Sequence, residues 1–347
     1  MFFASDNAGP ALPGVMQRVT EANAGYAMPY GADEIMEEVR TALRAVFEAP
    51  EAAVYLVATG TAANALALAC YAQPWQTVFC SEVAHVQEDE CNAPEFYSGG
   101  AKLSLVPGGD KMTPETLRAR IAVEETRRVH GPQRGPVSIT QVTERGRIYT
   151  LEELHGLTGV AREFGLPVHL DGARFANALV ALDCTPAEMT WKAGVDVVSF
   201  GGTKNGCLGV EAVIFFDPAK AWEFELRRKR GAHLFSKHRY LSAQMAGYLE
   251  NGAWLDAART ANANCARLAQ GLGKKGAEFL HPPQANMIFT RFPRGIHQRL
   301  HDAGARYYIW EGTLEGADPD EMLTARLVCD WSISTQQIDL FLSHFDK

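Results

Sequence analysis

Short apolar runs alternate with longer amphipathic runs through the first two thirds of the chain. Nearly continuous apolar runs of this length are typical of strands that a parallel sheet buries on both faces. They predict strands at Val54–Val57, Thr77–Cys80, Lys102–Val106, Val137–Gln141, Pro167–Leu170, Val195–Phe200 and Val210–Phe216. Because strands that alternate with helices build a mostly parallel sheet covered by helices, the pattern predicts an α/β fold.

The amphipathic runs between these strands predict helices. Thr113-Pro114 opens one of them, to about residue 128, with proline at the first helical position, where its missing N–H group is tolerated. The sequence TLEE at 150–153 is a capping box, threonine followed three residues later by glutamate, and predicts a helix to Glu163. Further helices are predicted at 62–72, 186–193, from 218 onward, 236–250 and 252–272.

A proline-containing segment, LHPPQ at 280–284, precedes a last group of elements. That group has strand patterns at 287–292, around 307 and at 325–329, and helix patterns at 296–303 and from 334. Such a mixture predicts a small α+β unit with a core of its own. We therefore expect a large α/β domain over residues 1–250 and a small α+β domain over residues 251–347.

Composition and charge exclude several classes of protein. In 347 residues, the hydrophobic fraction of 47% and the charged fraction of 21% are ordinary for a folded chain, which excludes disorder of the whole. The net charge of −8 argues against a nucleic-acid partner, which needs a basic surface. No stretch approaches the 18 apolar residues of a membrane span, and the N-terminus lacks the pattern of a signal peptide. Seven scattered cysteines without a CxxC motif indicate reduced cytoplasmic thiols, and neither a disulfide framework nor a zinc site.

The first candidate for chemistry is TGTAAN at 59–64, directly after the strand at 54–57. In an open α/β sheet, ligands bind at the carboxyl ends of the strands. Small residues at a helix start let backbone N–H groups approach an anion, so Gly60 and Thr61 indicate a phosphate site. An ordinary strand–turn–helix connection with Thr59 as the helix N-cap would have the same sequence. The motif is neither a GxGxxG nor a Walker A sequence, which disfavours dinucleotides and nucleoside triphosphates.

Charged residues follow two later strands: Asp171 and Arg174 in HLDGAR (169–174), and Lys204 in GGTKNG (201–206). These residues could instead have structural roles. Asp171 could cap a helix and pair with Arg174, and Lys204 could be a lysine of a surface loop. His169 and Asp171 alone are too few ligands for a metal site. Because neighbouring strand ends meet at one sheet edge, we expect the phosphate site, Asp171 and Lys204 to face one cleft. Pyridoxal phosphate requires such a set: an anchor, a partner for the pyridine nitrogen and a lysine for covalent attachment.

Six motifs together resemble those of a known family. They are ASDN (4–7), PYGADE (29–34), TGTAAN (59–64), AHVQEDECNAPEF (84–96), HLDGAR (169–174) and GGTKNG (201–206). From Ser5 to about Trp331 the chain resembles the low-specificity L-threonine aldolases, nearest the branch that includes phenylserine aldolase. The resemblance implies fold type I, with a mostly parallel seven-stranded sheet, and pyridoxal 5'-phosphate as cofactor. It also implies a homodimer or homotetramer with active sites at the subunit interface.

The reaction implied by the resemblance is the reversible cleavage of L-β-hydroxy-α-amino acids, such as L-threonine, L-allo-threonine and phenylserine, to glycine and an aldehyde. The residues implied to hold the cofactor are Gly60, Thr61, His85, Asp171, Arg174, Thr203 and Lys204. Among these, Lys204 would attach the cofactor, Asp171 would keep the pyridine nitrogen protonated, and His85 would stack on the ring.

The substrate side of the site is also implied by the resemblance. Ser5, Arg174 and Arg326 would bind the substrate carboxylate, and Tyr30 would approach the site, from a neighbouring subunit. Lys204, His85 and Glu90 are the implied catalytic residues, with Glu90 positioning a water molecule. Arg239 is similar to a family arginine that reaches a neighbouring site.

One stretch departs from the family pattern. Where many threonine aldolases of the other bacterial branch have Thr-His-Asn-Gly, with a histidine that contacts the substrate, residues 143–146 read Thr-Glu-Arg-Gly. Either His233 or a water held by Glu90 could replace this histidine. Glu144, which occupies its position, could lie inside the substrate pocket or outside it. Two other functions stay open as well: another fold-type-I reaction, β-elimination or transamination, and a non-enzymatic binding protein that has kept the fold.

Overall fold

The chain was analysed as a computed structural model that describes residues 1–346. Two β-sheets and fourteen α-helices make up the fold of these residues. The strands are β1 (Ala53–Val57), β2 (Gln76–Ser81), β3 (Lys102–Val106), β4 (Gln133–Thr140), β5 (Val168–Gly172), β6 (Val197–Gly201), β7 (Glu211–Phe215), β8 (Glu278–Phe279), β9 (Met287–Pro293), β10 (Tyr308–Glu311) and β11 (Met322–Val328).

The helices connect and cover the strands. They are α1 (Pro13–Glu21), α2 (Glu34–Val46), α3 (Gly60–Tyr71), α4 (His85–Glu88), α5 (Ala93–Ser98), α6 (Pro114–Val123), α7 (Leu151–Glu163), α8 (Phe175–Leu182), α9 (Pro186–Met189), α10 (Ala221–Arg230), α11 (Arg239–Leu249), α12 (Ala253–Lys274), α13 (Arg294–Asp302) and α14 (Thr335–Ser343). Among residues 1–346 no helix is both long and apolar enough to cross a membrane.

The large sheet has seven strands in the order β1-β7-β6-β5-β4-β2-β3. Six of them are parallel, and β7 runs antiparallel between β1 and β6. All residues of β1, β5, β6 and β7 are buried, as expected for strands with helices on both faces. The predicted α/β fold with a mostly parallel seven-stranded sheet is confirmed.

The small sheet has four antiparallel strands in the order β10-β11-β9-β8. It packs against α12 and α14 around its own apolar cluster, which includes Phe292 and Phe341. Phe3, at the start of the chain, belongs to the same cluster and packs edge-on against Phe341 at 5.0 Å between ring centroids. The N-terminal residues therefore run from the small sheet to the large one, while the division at residue 250 stays a prediction.

Several element boundaries differ from the predicted ones for local reasons. The helix predicted to reach residue 128 ends at Val123, because Glu125 and Arg128 adopt positive φ angles that a helix does not allow. The helix predicted at 186–193 divides at Thr190 into α9 and a 3₁₀ turn. Helices α1, α2, α4, α5 and α8 were not predicted. Helix α2 has a local signal, since Asp33 gives it a side-chain N-cap to the Met36 N–H group.

Candidate active site

A cavity of about 420 Å³ opens at the carboxyl edge of the large sheet, between the loops after β1, β5 and β6 and the start of β7. Its walls combine small residues, polar side chains and one lysine. The lining residues are Asn7, Ala58, Thr59, Gly60, Thr61, Asn64, His85, Asp171, Ala173, Thr203, Lys204, Leu208, Gly209 and Glu211. The predicted convergence of the loop at 59–61, Asp171 and Lys204 in one cleft is therefore seen in the structure.

The loop after β1 presents the N-terminus of α3 to this cavity. The Thr59 hydroxyl accepts the Ala62 N–H group at 3.2 Å, and the Thr59 carbonyl accepts the Ala63 N–H group. The N–H groups of Gly60 and Thr61 have no such intrahelical partner, and a side chain on Gly60 would meet open space within 4 Å. These groups and the dipole of a 12-residue helix form a place for an anion.

Asp171 is the residue before the last of β5 and is 2% exposed. One carboxylate oxygen accepts the Ala173 N–H group at 3.0 Å, and the other accepts the Asn64 side-chain amide at 2.9 Å. Asn64 donates a second hydrogen bond from the same nitrogen to Glu90 at 2.9 Å. Asn64 thus stands between two buried carboxylates and fixes the orientation of Asp171 toward the cavity.

His85 and Glu90 form a pair on the other side of Asn64. The Nδ1 atom of His85 lies 2.9 Å from Oε1 of Glu90. This hydrogen bond raises the pKa of His85, while burial raises the pKa of Glu90. His85 reaches the cavity, whereas Glu90 lies behind it, 3% exposed, and its second oxygen has no hydrogen-bond partner. The pair can therefore hold a proton beside the cavity.

Lys204 lies on a 3₁₀ turn of Thr203–Asn205 directly after β6. The turn is fastened to the sheet: the Gly202 N–H group donates to Oε2 of Glu211 at 2.8 Å, and the Val210 N–H group donates to the Thr203 hydroxyl at 3.2 Å. Gly201 leaves no room for a side chain, since a Cβ atom would lie 2.5 Å from the Ala173 carbonyl oxygen. The close packing of the strand ends brings Lys204 and Asp171 to the same cavity.

Arg174 is buried and pairs with Asp6, not with Asp171. Its Nε and Nη2 atoms donate to the two Asp6 oxygens at 2.7 and 2.9 Å. Asn286 donates a further hydrogen bond to Asp6 at 3.0 Å. The structural alternative in which Arg174 neutralises Asp171 is therefore wrong, and the N-terminal segment positions this guanidinium instead.

Arg326 approaches the same corner from β11 of the small sheet. Its Nη2 atom donates to the Ala4 carbonyl at 3.3 Å, and its buried Nε atom has no hydrogen-bond partner. Ser5 follows Ala4 and caps the short turn of Asp6–Ala8 by accepting the Asn7 N–H group at 3.1 Å. The segment at 4–7 thus joins Ser5, Arg174 and Arg326, and leaves an unused donor on Arg326.

Comparison with known proteins identifies the family. A family model described as β-eliminating lyase matches residues 3–293. Low-specificity L-threonine aldolases of a Pseudomonas species and of Pseudomonas aeruginosa are each 40% identical to this chain, over 97% of its length and 94% of theirs. The chain belongs to this family. The threonine aldolase structure from Leishmania major has the same fold, with a TM-score of 0.92 and 24% identity over 99% of this chain and 98% of that one.

The resemblance inferred from the motifs is confirmed by these comparisons. As a member of this family the chain is a pyridoxal-phosphate-dependent carbon–carbon lyase. The cavity fits that cofactor in its donor set: a lysine for attachment, a buried carboxylate for the pyridine nitrogen and free backbone N–H groups for the phosphate. The amide oxygen of Asn64, buried beside Asp171 without a hydrogen-bond partner, is a further polar atom at this site. Among residues 1–346 no group of three or more His, Cys, Asp or Glu side chains is placed to hold a metal ion.

Some candidate residues of this threonine aldolase family member lie away from the cavity. Tyr30 is 46% exposed, and its ring lies beside Lys229. The imidazole of His233 lies 3.0 Å from the Tyr97 hydroxyl, and Arg239 donates to the Gly25 carbonyl. None of Tyr30, His233 and Arg239 lines the cavity within one chain.

Glu144, in contrast, lies close to the site. The charges of Lys204, Arg174 and His85 act on its carboxyl group, although burial outweighs them and raises its pKa. Only residues 141–143 separate Glu144 from the end of β4. This placement favours Glu144, rather than His233, as a group near the substrate.

Sequence reasoning did not single out Asp6, Asn64 or Glu211. Asp6 and Asn64 stand inside the quoted motifs, but their partners Arg174, Asp171 and Glu90 are far away along the chain. Glu211 had a signal of its own, a lone acid at the head of the apolar run VEAVIFF. A charged residue there is costly to bury unless it has partners, which makes it a candidate for a function.

Proposed function

We propose that this protein reversibly cleaves L-β-hydroxy-α-amino acids to glycine and an aldehyde, with L-threonine, L-allo-threonine and phenylserine as candidate substrates. The observation that supports this most is one cavity in which Lys204, Asp171 and the N–H groups of Gly60 and Thr61 converge. The relatives with 40% identity are named low-specificity L-threonine aldolases, which agrees with this reaction.

In this proposal the chain holds the cofactor with residues of three loops. Lys204 would attach the cofactor covalently, and Asp171 would accept a hydrogen bond from the protonated pyridine nitrogen. The N–H groups of Gly60 and Thr61 would bind the phosphate. Bound pyridoxal phosphate supplies an electron sink for the bond that breaks. Asn64 keeps Asp171 in place, so that its charge stays directed at the ring nitrogen.

Thr203 and His85 have supporting parts in the proposal. The Thr203 hydroxyl, which already accepts the Val210 N–H group, closes the phosphate side of the cavity. The His85 ring also lines the cavity, where it would pack against the ring of the bound cofactor. Its hydrogen bond to Glu90 fixes the orientation of the imidazole.

The substrate carboxylate binds at Arg326, Arg174 and Ser5 in this proposal. Arg326 has the unused Nε donor, and Arg174 is held rigid by Asp6. Two fixed guanidinium groups on one carboxylate determine how the substrate lies over the cavity, and therefore which of its bonds is aligned for cleavage.

The hydroxyl proton of the substrate moves to a base of the chain. His85, backed by Glu90, and Glu144 are the groups whose positions suit that proton. A raised pKa makes each of them a stronger base, which suits a group that takes the hydroxyl proton and later returns it.

A second candidate reaction is β-elimination, which agrees with the matching family model, a β-eliminating lyase. Transamination on the same fold is a third. An assay of L-threonine cleavage distinguishes them by product, since an aldolase yields glycine and acetaldehyde while an eliminating enzyme yields ammonia and a keto acid. Formation of keto acid and ammonia without glycine would overturn the aldolase proposal.

The attachment of the cofactor to Lys204 gives a direct test. Borohydride reduction of the holoenzyme should label Lys204, and Lys204→Ala should lose the visible absorbance of the linked cofactor and nearly all turnover. Lys192→Ala is a matched control, because that lysine pairs with Glu48 on the surface. Label on a lysine other than 204 would contradict the assignment.

We also propose a cytoplasmic homodimer or homotetramer in which Tyr30 and Arg239 reach the active site of a neighbouring subunit. Tyr26, Met28 and Tyr30 form an exposed apolar segment, as expected for a surface that a second copy covers. Light scattering measures the mass, and a monomer with full activity would contradict the proposal.

A further inference from the structure

Glu211 is a buried carboxylate at the floor of the cavity, and none of the proposed steps uses it. It is the first residue of β7, opposite Val57 of β1 on one side and Gly201 of β6 on the other. The phosphate loop follows Val57, and the Lys204 turn follows Gly201. Glu211 is 7% exposed and lines the same cavity as Lys204.

The Glu211 carboxylate holds the two residues that precede Lys204. Oε2 accepts the Gly202 N–H group at 2.8 Å, and the Thr203 side chain beside the carboxylate lowers the pKa of Glu211. Because the Thr203 oxygen already accepts the Val210 N–H group, its own hydrogen is free to be donated to Glu211. Hydrogen bonds to an ionised carboxylate are stronger than neutral ones, so they favour the charged form.

Among the titratable groups that interact with Glu211, Lys204 is the one that can carry a positive charge. The titratable groups whose charges interact with Glu211 are Lys204, Asp171, Cys207 and Tyr248. Burial raises the pKa of Cys207 and of Tyr248 well above their usual values, so both are neutral. Burial raises the pKa of Glu211 to about 7, against the effect of Lys204, which lowers it. The charges of Glu211 and Lys204 therefore depend on each other.

We propose that Glu211 is a positioning residue for Lys204, anchoring its turn and supplying the negative charge that keeps the Lys204 nitrogen protonated when it is linked to the cofactor. This inference rests on the proposed function, because it requires Lys204 to be the attachment residue. The effect is reciprocal: a proton on the linked nitrogen stabilises ionised Glu211 by the same amount of free energy.

The experiment is a pH titration of the visible absorbance of the holoenzyme, which changes when the linked nitrogen loses its proton. Glu211→Gln removes the charge but keeps an oxygen that accepts the Gly202 N–H group. We expect the pKa of the linked nitrogen to fall by about one unit or more, which is a tenfold change in its protonation equilibrium.

Gln244→Ala is the matched control, because it loosens the loop that carries Lys204 without removing a charge. The Gln244 side-chain oxygen accepts the N–H groups of Leu208 and Gly209 at 3.0 and 2.9 Å, so it fastens the far end of the same loop without a charge. This variant should release the cofactor faster and leave the pKa of the linked nitrogen unchanged. An unchanged pKa in Glu211→Gln, or an equal fall in both variants, would overturn the inference.

Glu211→Asp keeps the test decisive if Glu211→Gln does not fold. It retains the charge and shortens the side chain, so the pKa of the linked nitrogen should stay within about half a unit of the wild-type value. A larger fall in this charged variant would contradict a role of the charge. Failure of the proposed function would look different, because the wild-type protein would then show no cofactor attached to Lys204.

Discussion

At the scale of single residues, the site depends on side chains held by partners that are distant in sequence. Asp6 fixes Arg174, and Asn64 fixes Asp171, across 168 and 107 residues respectively. Arg326 differs from both, since its Nε atom is buried without a partner. An unsatisfied buried donor is costly, which indicates that a ligand completes its hydrogen bonding.

Arg326→Lys should therefore raise the KM for threonine and leave the absorbance of the bound cofactor unchanged. A lysine cannot reproduce the planar, two-pronged contact of a guanidinium with a carboxylate. Loss of one charged partner in a partly desolvated site costs about 2–5 kcal/mol, or roughly 30-fold to several-thousand-fold in affinity. Steady-state kinetics measure this, with Arg291→Lys as the control, because Arg291 is an exposed residue of the same sheet. An unchanged KM in Arg326→Lys would exclude the contact.

At the scale of elements, a turn after β4 and the edge of the small sheet meet beside the site. The turn is rigid, since Thr143 donates to Asp110 at 2.6 Å and its N–H group donates to the Arg147 carbonyl. Two aromatic side chains of β10, Tyr308 and Trp310, lie against the Arg326 guanidinium. Tyr308 is 55% exposed and Trp310 37% exposed, which leaves apolar area beside the carboxylate site proposed at Arg326.

This arrangement predicts a higher catalytic efficiency for β-phenylserine than for threonine. The turn carries Glu144 in place of the histidine that the family resemblance implies for another branch. An aromatic substituent gains about 25 cal/mol per Å² of apolar area that it buries against the β10 aromatics. Competition of the two substrates in one assay measures the preference. Trp310→Ala should reduce phenylserine cleavage more than threonine cleavage. A tenfold or greater preference for threonine would refute the predicted preference for phenylserine and leave the aldolase proposal intact.

At the scale of the whole molecule, buried histidines link the stability of both sheets to pH. His169 lies inside the large sheet between Ser138 and Ser199, and His297 lies under the small sheet against Phe292. Burial lowers the pKa of each to about 4. Below the ordinary value of 6.5 the unfolded chain binds protons that the folded chain does not, so stability falls as the pH decreases from 6.5 toward 4.

Each of these two histidines should reduce the free energy of unfolding by about 1.4 kcal/mol per pH unit in that range. Urea unfolding at several pH values measures the slope. His297→Gln should make the slope shallower, whereas His155→Gln, at an exposed position of α7, should leave it as in the wild type. An equal slope in wild type and His297→Gln would show that His297 does not titrate in this way.

The sequence alone determined the class of fold and indicated several of the residues that line the cavity. Apolar runs buried on both faces have a local signature, so β1, β5 and β6 were predicted nearly to the residue. Gly60, Asp171 and Lys204 stand at or just after the ends of such strands, and the topology of a parallel sheet then brings them to one edge. Helices α1 and α8 lacked a strong local signal, which explains their absence from the prediction.

Only the tertiary structure decided which side chains hold these residues in place. Arg174 pairs with Asp6 instead of the nearby Asp171, because the N-terminal segment crosses from the small sheet to the cavity. Glu211 meets the Lys204 turn because β7 runs antiparallel between β1 and β6, which places the start of β7 at the carboxyl edge of its neighbours. Hydrogen bonds of this kind depend on distances between elements, and no local pattern in the sequence records those distances.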